Sequence, residues 1–194
     1  SMVYASPLIA VVLTILTAMV MFALLGVDPV KAIATFFIEP ISTLDGLAEL
    51  CVKATPLILI GVGLALGFQA NVWNIGAEGQ LIIGALACGG LALAFYDHSS
   101  IFLVPAMLVS GVIGGMAWAA IPAWLKTRYN TNEILTSLML TYVGLLVLSY
   151  LVHGPWKDPE GQNFPESRLF HESALLPILI DETRLNVGWL LALL

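Results

Sequence analysis

Charged residues are scarce in this chain, and their scarcity excludes most soluble proteins. Only 10% of the 194 residues are charged, whereas 59% are hydrophobic and the mean hydropathy is +0.96. Soluble globular domains carry about 25% charged residues. The composition therefore indicates an integral membrane protein. The net charge of −6 at pH 7 gives no indication of nucleic-acid binding.

Catalytic and metal-binding motifs are also lacking. The chain contains no GxxxxGK[ST] phosphate loop, no HExxH motif and no GxSxG motif, so we predict no catalytic residue and no ATP hydrolysis by a P-loop. Cys51 and Cys88 lie in apolar surroundings, which favours simple packing over a disulfide or a metal pair. His98, His153 and His171 do not have the spacing of a zinc site. We therefore expect no metal and no cofactor in this chain.

Long apolar runs are what the sequence does contain. A helix needs about 20 apolar residues to cross the hydrocarbon of a bilayer. Full spans are predicted at 5–25, 101–125 and 134–152, shorter ones at 54–69 and 81–96, and a sixth begins at Leu185 and is cut off at Leu194. We predict an all-α, polytopic transmembrane bundle of about five full or broken spans plus a truncated sixth. We also expect the chain to be an amino-terminal fragment of a longer protein.

The loops between the runs predict an orientation. Lys126 and Arg128 lie in a short connection, so the positive-inside rule places residues 126–132 and the amino terminus in the cytoplasm. Segment 153–184 then lies outside, and we call it the outer cap. Five prolines and glycines within residues 154–165 exclude a long helix there and predict ordered turns. The outer cap could meet a soluble partner or simply connect two spans.

The connection between the first two spans has an amphipathic pattern. Apolar residues recur there at helical spacing, with acidic residues on the other side. This pattern predicts short helices in the membrane interface at Pro29–Pro40 and Leu44–Lys53. The second span would then begin only at residue 54.

The stretch Asn71–Gln80, NVWNIGAEGQ, is the most polar interruption of apolar sequence. It joins two spans of only about 16 apolar residues each, both short for a membrane-crossing helix. Transporters build solute sites from such interrupted helix pairs. We predict a translocation path lined or shaped by Gln69, Asn71, Trp73, Asn74, Gly76, Glu78 and Gln80. The alternative is a short cytoplasmic turn in which Asn74 and Glu78 only support the start of the next helix.

A second polar patch lies between the fourth and fifth spans. Asn132 or Thr131 could cap the fifth span, with Glu133 at its amino end. Helix capping alone would explain the patch. The alternative is contact with a cytoplasmic partner through Lys126, Arg128, Asn132 and Glu133.

Three blocks of sequence resemble one family. They read LAELCVKATPLILIGVGLALGFQANVWNIGAEGQLIIGALA, TNEILTSLMLTYV and GPWKDPEG, and they cover most of residues 44–168. The chain resembles the permease subunit of bacterial ABC importers of the branched-chain amino acid and monosaccharide type, and the nucleoside (simple sugar) group is closest. NIGAEGQ is specific, because a generic apolar helix would not reproduce two glycines, an amide and an acid at this spacing.

The resemblance implies a function and partners. Residues 1–194 would be the amino-terminal part of one membrane permease domain in the bacterial inner membrane, with the second half of the domain missing. Its role would be to form the translocation path for a nucleoside or a related small polar solute. Implied partners are ATPase subunits that hydrolyse ATP, a second permease subunit, an extracytoplasmic substrate-binding protein that docks at 153–168, and membrane lipid. The main ATPase-coupling loop would follow the truncated span.

Two other functions remain open at this point. One is an ion-coupled secondary transporter in which Glu78 is the coupling carboxylate, since an ionisable group at membrane depth is a functional candidate. The other is a purely structural membrane subunit.

Overall fold

The computed structural model describes residues 2–98, 100–161 and 164–193. Leu194, at which the predicted sixth span is cut off, lies outside the described residues. So do Gln162 and Asn163 of the outer cap.

Eight α-helices follow one another along the described chain. They are α1 (Met2–Leu24), α2 (Pro29–Phe37), α3 (Glu39–Ser42), α4 (Leu44–Gln69), α5 (Ala77–Ala94), α6 (Leu103–Tyr129), α7 (Glu133–His153) and α8 (Gly188–Leu193). Five of them, α1, α4, α5, α6 and α7, are long and apolar enough to cross a membrane. The predicted all-α bundle with five spans is confirmed.

Helix α4 corrects one prediction. Leu44–Lys53 is not a separate interfacial helix, because α4 runs without a break for 26 residues and includes Pro56. Pro56 has no N–H to donate to the carbonyl of Val52, four residues earlier, but a proline inside a membrane helix is tolerated. The Thr55 hydroxyl donates a hydrogen bond to the neighbouring carbonyl, of Cys51, at 2.9 Å. Asp45 and Glu49 belong to the predicted interfacial helix. They lie four residues apart and therefore on one face of the first turns of α4, and the helix continues past both of them.

The chain divides into two compact units, the first of which comprises residues 1–57 and 178–194. In this unit α2 is the predicted amphipathic helix, with Asp28 as its N-cap. The rings of Phe22 and Phe36 join α1 to α2, with centroids 6.3 Å apart. Arg184 donates two hydrogen bonds to the Glu49 carboxylate, at 2.7 and 2.6 Å. The hydrogen bond and the charge of Glu49 raise the pKa of Arg184.

The second unit comprises residues 58–177 and is built around α5. Glycine backbones let α5 approach both neighbours closely. A Cβ added at Gly84 would lie 2.9 Å from the carbonyl oxygen of Gly111 on α6, and one added at Gly79 would lie 2.8 Å from the Cα of Thr141 on α7. Small residues allow such close approach of helices in membranes. Helix α5 is thus held between α6 and α7 by backbone contact.

The described residues of the outer cap after α7 in the second unit, 154–161 and 164–177, form turns, in agreement with the prolines among them. They contain the isolated bridge between Lys157 and Ser167 and one 3-10 turn, Glu172–Ala174. The ring of Trp156 packs against Gly90 at the end of α5. Ala174 is buried with Ala92 of α5 and with Leu103 and Met107 of α6. This part of the cap is therefore seated on the ends of α5 and α6.

Candidate functional site

The predicted break between two spans begins where α4 ends, at a left-handed residue. Asn71 has φ of 54°, a conformation that asparagine tolerates better than most side chains. The N–H of Val72 donates to the carbonyl of Gly67 at 2.9 Å, and the N–H of Asn71 donates to that of Phe68 at 3.1 Å. These two bonds form a Schellman motif with Asn71 at its left-handed position. Asn71 therefore serves the end of α4.

Residues 72–76 have no regular secondary structure and lead directly into α5. The side-chain oxygen of Asn74 accepts a hydrogen bond from the N–H of Gly76 at 2.8 Å. The N–H of Ile75 donates to the hydroxyl of Ser137 on α7 at 3.3 Å. A Cβ on Gly76 would lie 2.9 Å from the Cβ of Ser137, so only glycine fits there without a shift. The N-cap of α5 is Gly76, with no side-chain cap bond, so the predicted capping of this helix by Asn74 is wrong, and Asn74 instead orders the residues before it.

The start of α5 is recessed from the nearby end of α6. The two helices run antiparallel, with Gly84 next to Gly111 and Gln80 next to Gly115. On this register α6 continues for about 11 residues, or roughly 16 Å, beyond the level at which α5 begins. The irregular segment 72–76 lies in this recess, where Val72, Trp73 and Asn74 share a cavity with α6.

Three adjoining cavities follow one face of α5 and α6. The first, which we call the polar cavity, has a volume of about 390 Å³. The second, the central cavity, measures about 500 Å³, and the third, the apolar cavity, about 320 Å³. Asn74 lines the polar and central cavities, and Gln80 lines all three. The cavities therefore form one continuous groove.

The groove extends over nearly the thickness of a bilayer. Its α6 wall runs from Lys126 in the polar cavity to Met107 in the apolar cavity. These residues are roughly 29 Å apart along a helix, and the hydrocarbon core is about 30 Å thick. Cys88 of α5 lines the apolar cavity, beside Met107. The groove thus changes from a polar end to an apolar end.

The structure gathers four of the seven residues predicted to line a path. Asn71, Trp73, Asn74 and Gln80 all line the polar cavity. The ring of Trp73 also packs against that of Phe68, with centroids 5.1 Å apart and the two ring planes tilted by 42°.

The other three predicted residues lie elsewhere. Gly76 is buried against α7, where it shapes the close approach of that helix. Gln69 and Glu78 are exposed and line none of the three cavities. Their part in a path stays a prediction.

The second polar patch borders the same cavity. Asn132 caps α7, since its side-chain oxygen accepts from the N–H groups of Ile134 and Leu135. The Nζ of Lys126, in the last turn of α6, lies 2.6 Å from Oε2 of Glu133. Both charged side chains line the polar cavity. Asn132 is thus assigned to helix capping, and the two predicted patches meet at one cavity.

Arg128 belongs to the same predicted patch but not to the cavity wall. It is exposed in the last turn of α6 and lines none of the three cavities. Contact of this patch with a cytoplasmic partner stays a prediction.

The sequence-based prediction missed the α7 wall of the site. Ser137 and Thr141 are 2% and 6% exposed, and they contact Gly76 and Gly79 of α5. Gly144 continues this contact toward the other end of α7. The spacing of these three α7 residues places them on one helix face. That periodicity of small and hydroxylated residues is the signal that could have found them.

The whole chain was compared with known proteins. Residues 46–194 match the family described as the branched-chain amino acid transport system / permease component. The chain belongs to this family. With five helices of membrane-spanning length it is a multi-pass membrane protein, which in bacteria means the inner membrane.

Curated relatives of this permease component are transporter permeases. The glucose ABC transporter permease protein of Haloferax volcanii is 41% identical over 91% of this chain and 46% of the relative. The guanosine ABC transporter permease protein of Bacillus subtilis is 29% identical, and the nucleoside ABC transporter permease protein of Lactococcus lactis is 25% identical. Each of those two alignments covers 97% of this chain and 54% of the relative. The chain spans about half the length of these relatives. No solved structure matches it.

Proposed function

We propose that this permease component forms half of the solute path in an ABC importer for a nucleoside or a related small polar solute. The observation that carries the proposal is the recessed segment 72–76, which brings the amides of Asn74 and Gln80 into a groove along α5 and α6. Polar groups and non-helical backbone that line a groove between membrane helices are typical of transport sites. Relatives with transporter names support the same conclusion.

The groove supports a path that releases what it receives. Its apolar cavity offers glycine, leucine and methionine, including Gly84 and Met107, and few groups that could hold a polar solute. The amides lie only toward the other end, at Asn74 and Gln80. Conduction needs sites weak enough for the solute to leave. A groove with amides toward one end and few polar groups toward the other therefore suits release of the solute.

Partners follow from this proposal. ATP would be hydrolysed by separate ATPase subunits on the cytoplasmic side. A second permease subunit would close the open side of the groove. An extracytoplasmic substrate-binding protein would deliver the solute to the outer cap, whose residues 153–177 are seated on the ends of α5 and α6.

The proposal is tested by solute uptake in the assembled transporter, using a matched pair of glutamine variants. Gln80→Ala should lower nucleoside uptake about tenfold, because it removes one of the two amides that line both the polar and the central cavity. Gln69→Ala tests the other predicted path glutamine: if lining the cavities is what matters, uptake should be unchanged, since Gln69 lines none of them. Uptake should require ATP and should persist when the proton gradient is collapsed.

Other outcomes would favour the alternative functions. Uptake that fails on collapse of the gradient and in Glu78→Gln would favour an ion-coupled secondary transporter. Unchanged uptake in both Asn74→Ala and Gln80→Ala would favour a structural subunit.

A further inference from the structure

We propose that the Lys126–Glu133 ion pair forms a wall of the solute path and makes its polar end selective for uncharged solutes. This inference rests on the proposed function. It assigns to these residues a role in the path itself, in place of contact with a cytoplasmic partner. The starting point is their position, because both side chains line the polar cavity together with Trp73, Asn74 and Gln80.

The pair is held by the two helices that meet at this end. Lys126 lies in the last turn of α6 and Glu133 is the first residue of α7. Asn130, with φ of 52°, ends α6, and Asn132 caps α7, so the connection between them is short and fixed at both ends. The Nζ to Oε2 distance is 2.6 Å. This geometry keeps both charges beside the cavity.

The pair also balances the charge of the cavity. The other described residues that line it are amides, hydroxyl-bearing residues, an aromatic and apolar residues, all of them uncharged. With Lys126 and Glu133 paired, the lining has no net charge. Side-chain exposure of 45% for Lys126 and 21% for Glu133 leaves the pair reachable from the cavity. Removing either partner would leave one uncompensated charge beside the cavity.

The chemistry of the lining identifies the class of solute. Asn74 and Gln80 offer both hydrogen-bond donors and acceptors, and Trp73 presents a ring that is 55% exposed. A volume of about 390 Å³ falls in the range of small-molecule sites. The cavity therefore suits an uncharged solute rich in hydroxyl or amide groups. A charged solute would have to compete with the ion pair.

The test uses four variants in the assembled transporter with its partners. They are Lys126→Gln, Glu133→Gln, the double neutral variant, and the exchange Lys126→Glu with Glu133→Lys. Arg128→Gln is the matched control, because Arg128 lies in the same helix turn and lines none of the cavities. Uptake of a neutral nucleoside is measured beside uptake of its anionic monophosphate. Co-purification of the ATPase subunits is measured for every variant.

The expected result follows from charge balance. Each single neutralisation should lower uptake of the neutral nucleoside about fivefold, whereas the double neutral and exchanged variants should keep most of it. Glu133→Gln, which leaves the lysine alone, should raise the ratio of anionic to neutral solute taken up. Co-purification should stay at the level of the unaltered protein throughout.

Three outcomes would overturn the inference. Loss of ATPase co-purification in the single variants, with Arg128→Gln behaving alike, would assign the pair to a partner contact. Uptake that is unchanged in both single variants would make the pair a surface feature. Equal losses of nucleoside uptake in the single, double and exchanged variants would show that charge balance does not explain the effect of these residues on uptake. If the unaltered transporter shows no ATP-dependent uptake, the proposed function itself is wrong, and that result is distinct from these three.

Discussion

Asn71 adopts the left-handed conformation that ends α4, with φ of 54°, and it also lines the polar cavity. These two roles can be separated by substitution. Asn71→Gly keeps the left-handed turn, whereas Asn71→Ala should destabilise the protein by about 1 kcal/mol, because a Cβ without a local polar group disfavours this conformation. Thermal unfolding in detergent should therefore show a lower midpoint for Asn71→Ala by about 2–4 °C.

Uptake measured on the same two variants separates support of the helix end from contact with the solute. If the backbone role dominates, Asn71→Gly should transport like the unaltered protein. Equal losses of uptake in Asn71→Gly and Asn71→Ala, without a difference in unfolding midpoint, would show that the amide acts on the solute instead.

At the scale of helices, contact between α5 and α7 depends on glycine. Gly79→Ala would place its Cβ 2.8 Å from the Cα of Thr141, so the helices must separate and the protein should lose about 1–3 kcal/mol of stability. Gly61→Ala is the matched control. Nothing lies within 4 Å of its added Cβ, and alanine favours helix by up to about 1 kcal/mol.

The measurement is again the midpoint of thermal unfolding in detergent. Gly79→Ala should lower it, while Gly61→Ala should leave it unchanged or raise it. A midpoint that falls equally in both variants would mean that loss of glycine itself, and not the α5–α7 contact, sets the effect.

Helix ends were predicted from sequence where a local signal marks them. Asn132 begins α7 within one residue of the predicted span, because an N-cap is a local feature. The predicted end of the fourth span at residue 125 was too early, since Lys126 and Arg128 continue α6 to Tyr129. Basic residues suit the last turn of a helix as well as a loop. Composition could not tell the two apart.

Helix α4 shows a different limit of sequence-based prediction. The amphipathic pattern of Leu44–Lys53 suggested an interfacial helix followed by a short second span. That pattern fits the first turns of a long span equally well, so it could not show that α4 is continuous. The break that does exist, at residues 70–76, was predicted because several polar residues and glycines occur there together.

Whether a predicted site residue lines a cavity was decided by packing that the sequence does not contain. Glu78 and Gln80 lie two residues apart in α5, so their side chains point in nearly opposite directions around the helix. Contact of Gly79 with α7 and of Gly84 with α6 fixes the rotation of α5. That rotation turns Gln80 into the groove and leaves Glu78 exposed. The sequence predicted that polar residues of this stretch line a path, but it could not show which of Glu78 and Gln80 faces the groove.

At the scale of the whole molecule, two native cysteines can report whether the groove carries solute. Cys88 lines the apolar cavity, whereas Cys51 lines none of the three cavities. Both are free thiols with intermediate exposure. In the assembled transporter, a water-soluble methanethiosulfonate reagent should modify Cys88 faster than Cys51. Saturating solute should slow the modification of Cys88.

Single-cysteine variants, Cys51→Ser and Cys88→Ser, make each rate measurable by mass shift. Modification of Cys88 should inhibit uptake, and Cys88→Ser should resist that inhibition. Equal rates at the two cysteines, with no protection of Cys88 by solute, would mean that lipid or a neighbouring helix fills the groove.

The recessed start of α5 has a consequence for hydration. The N–H groups of Trp73 and Asn74 have no hydrogen-bond partner within the part of the chain that the structure describes. Hydrocarbon cannot satisfy such groups, so we expect water to follow segment 72–76 along α6, to a level roughly 16 Å from the end of that helix. The 18 residues of α5 span about 27 Å, close to the hydrocarbon thickness of about 30 Å. The recess would therefore bring water to the polar end of the groove, which Asn74 and Gln80 line.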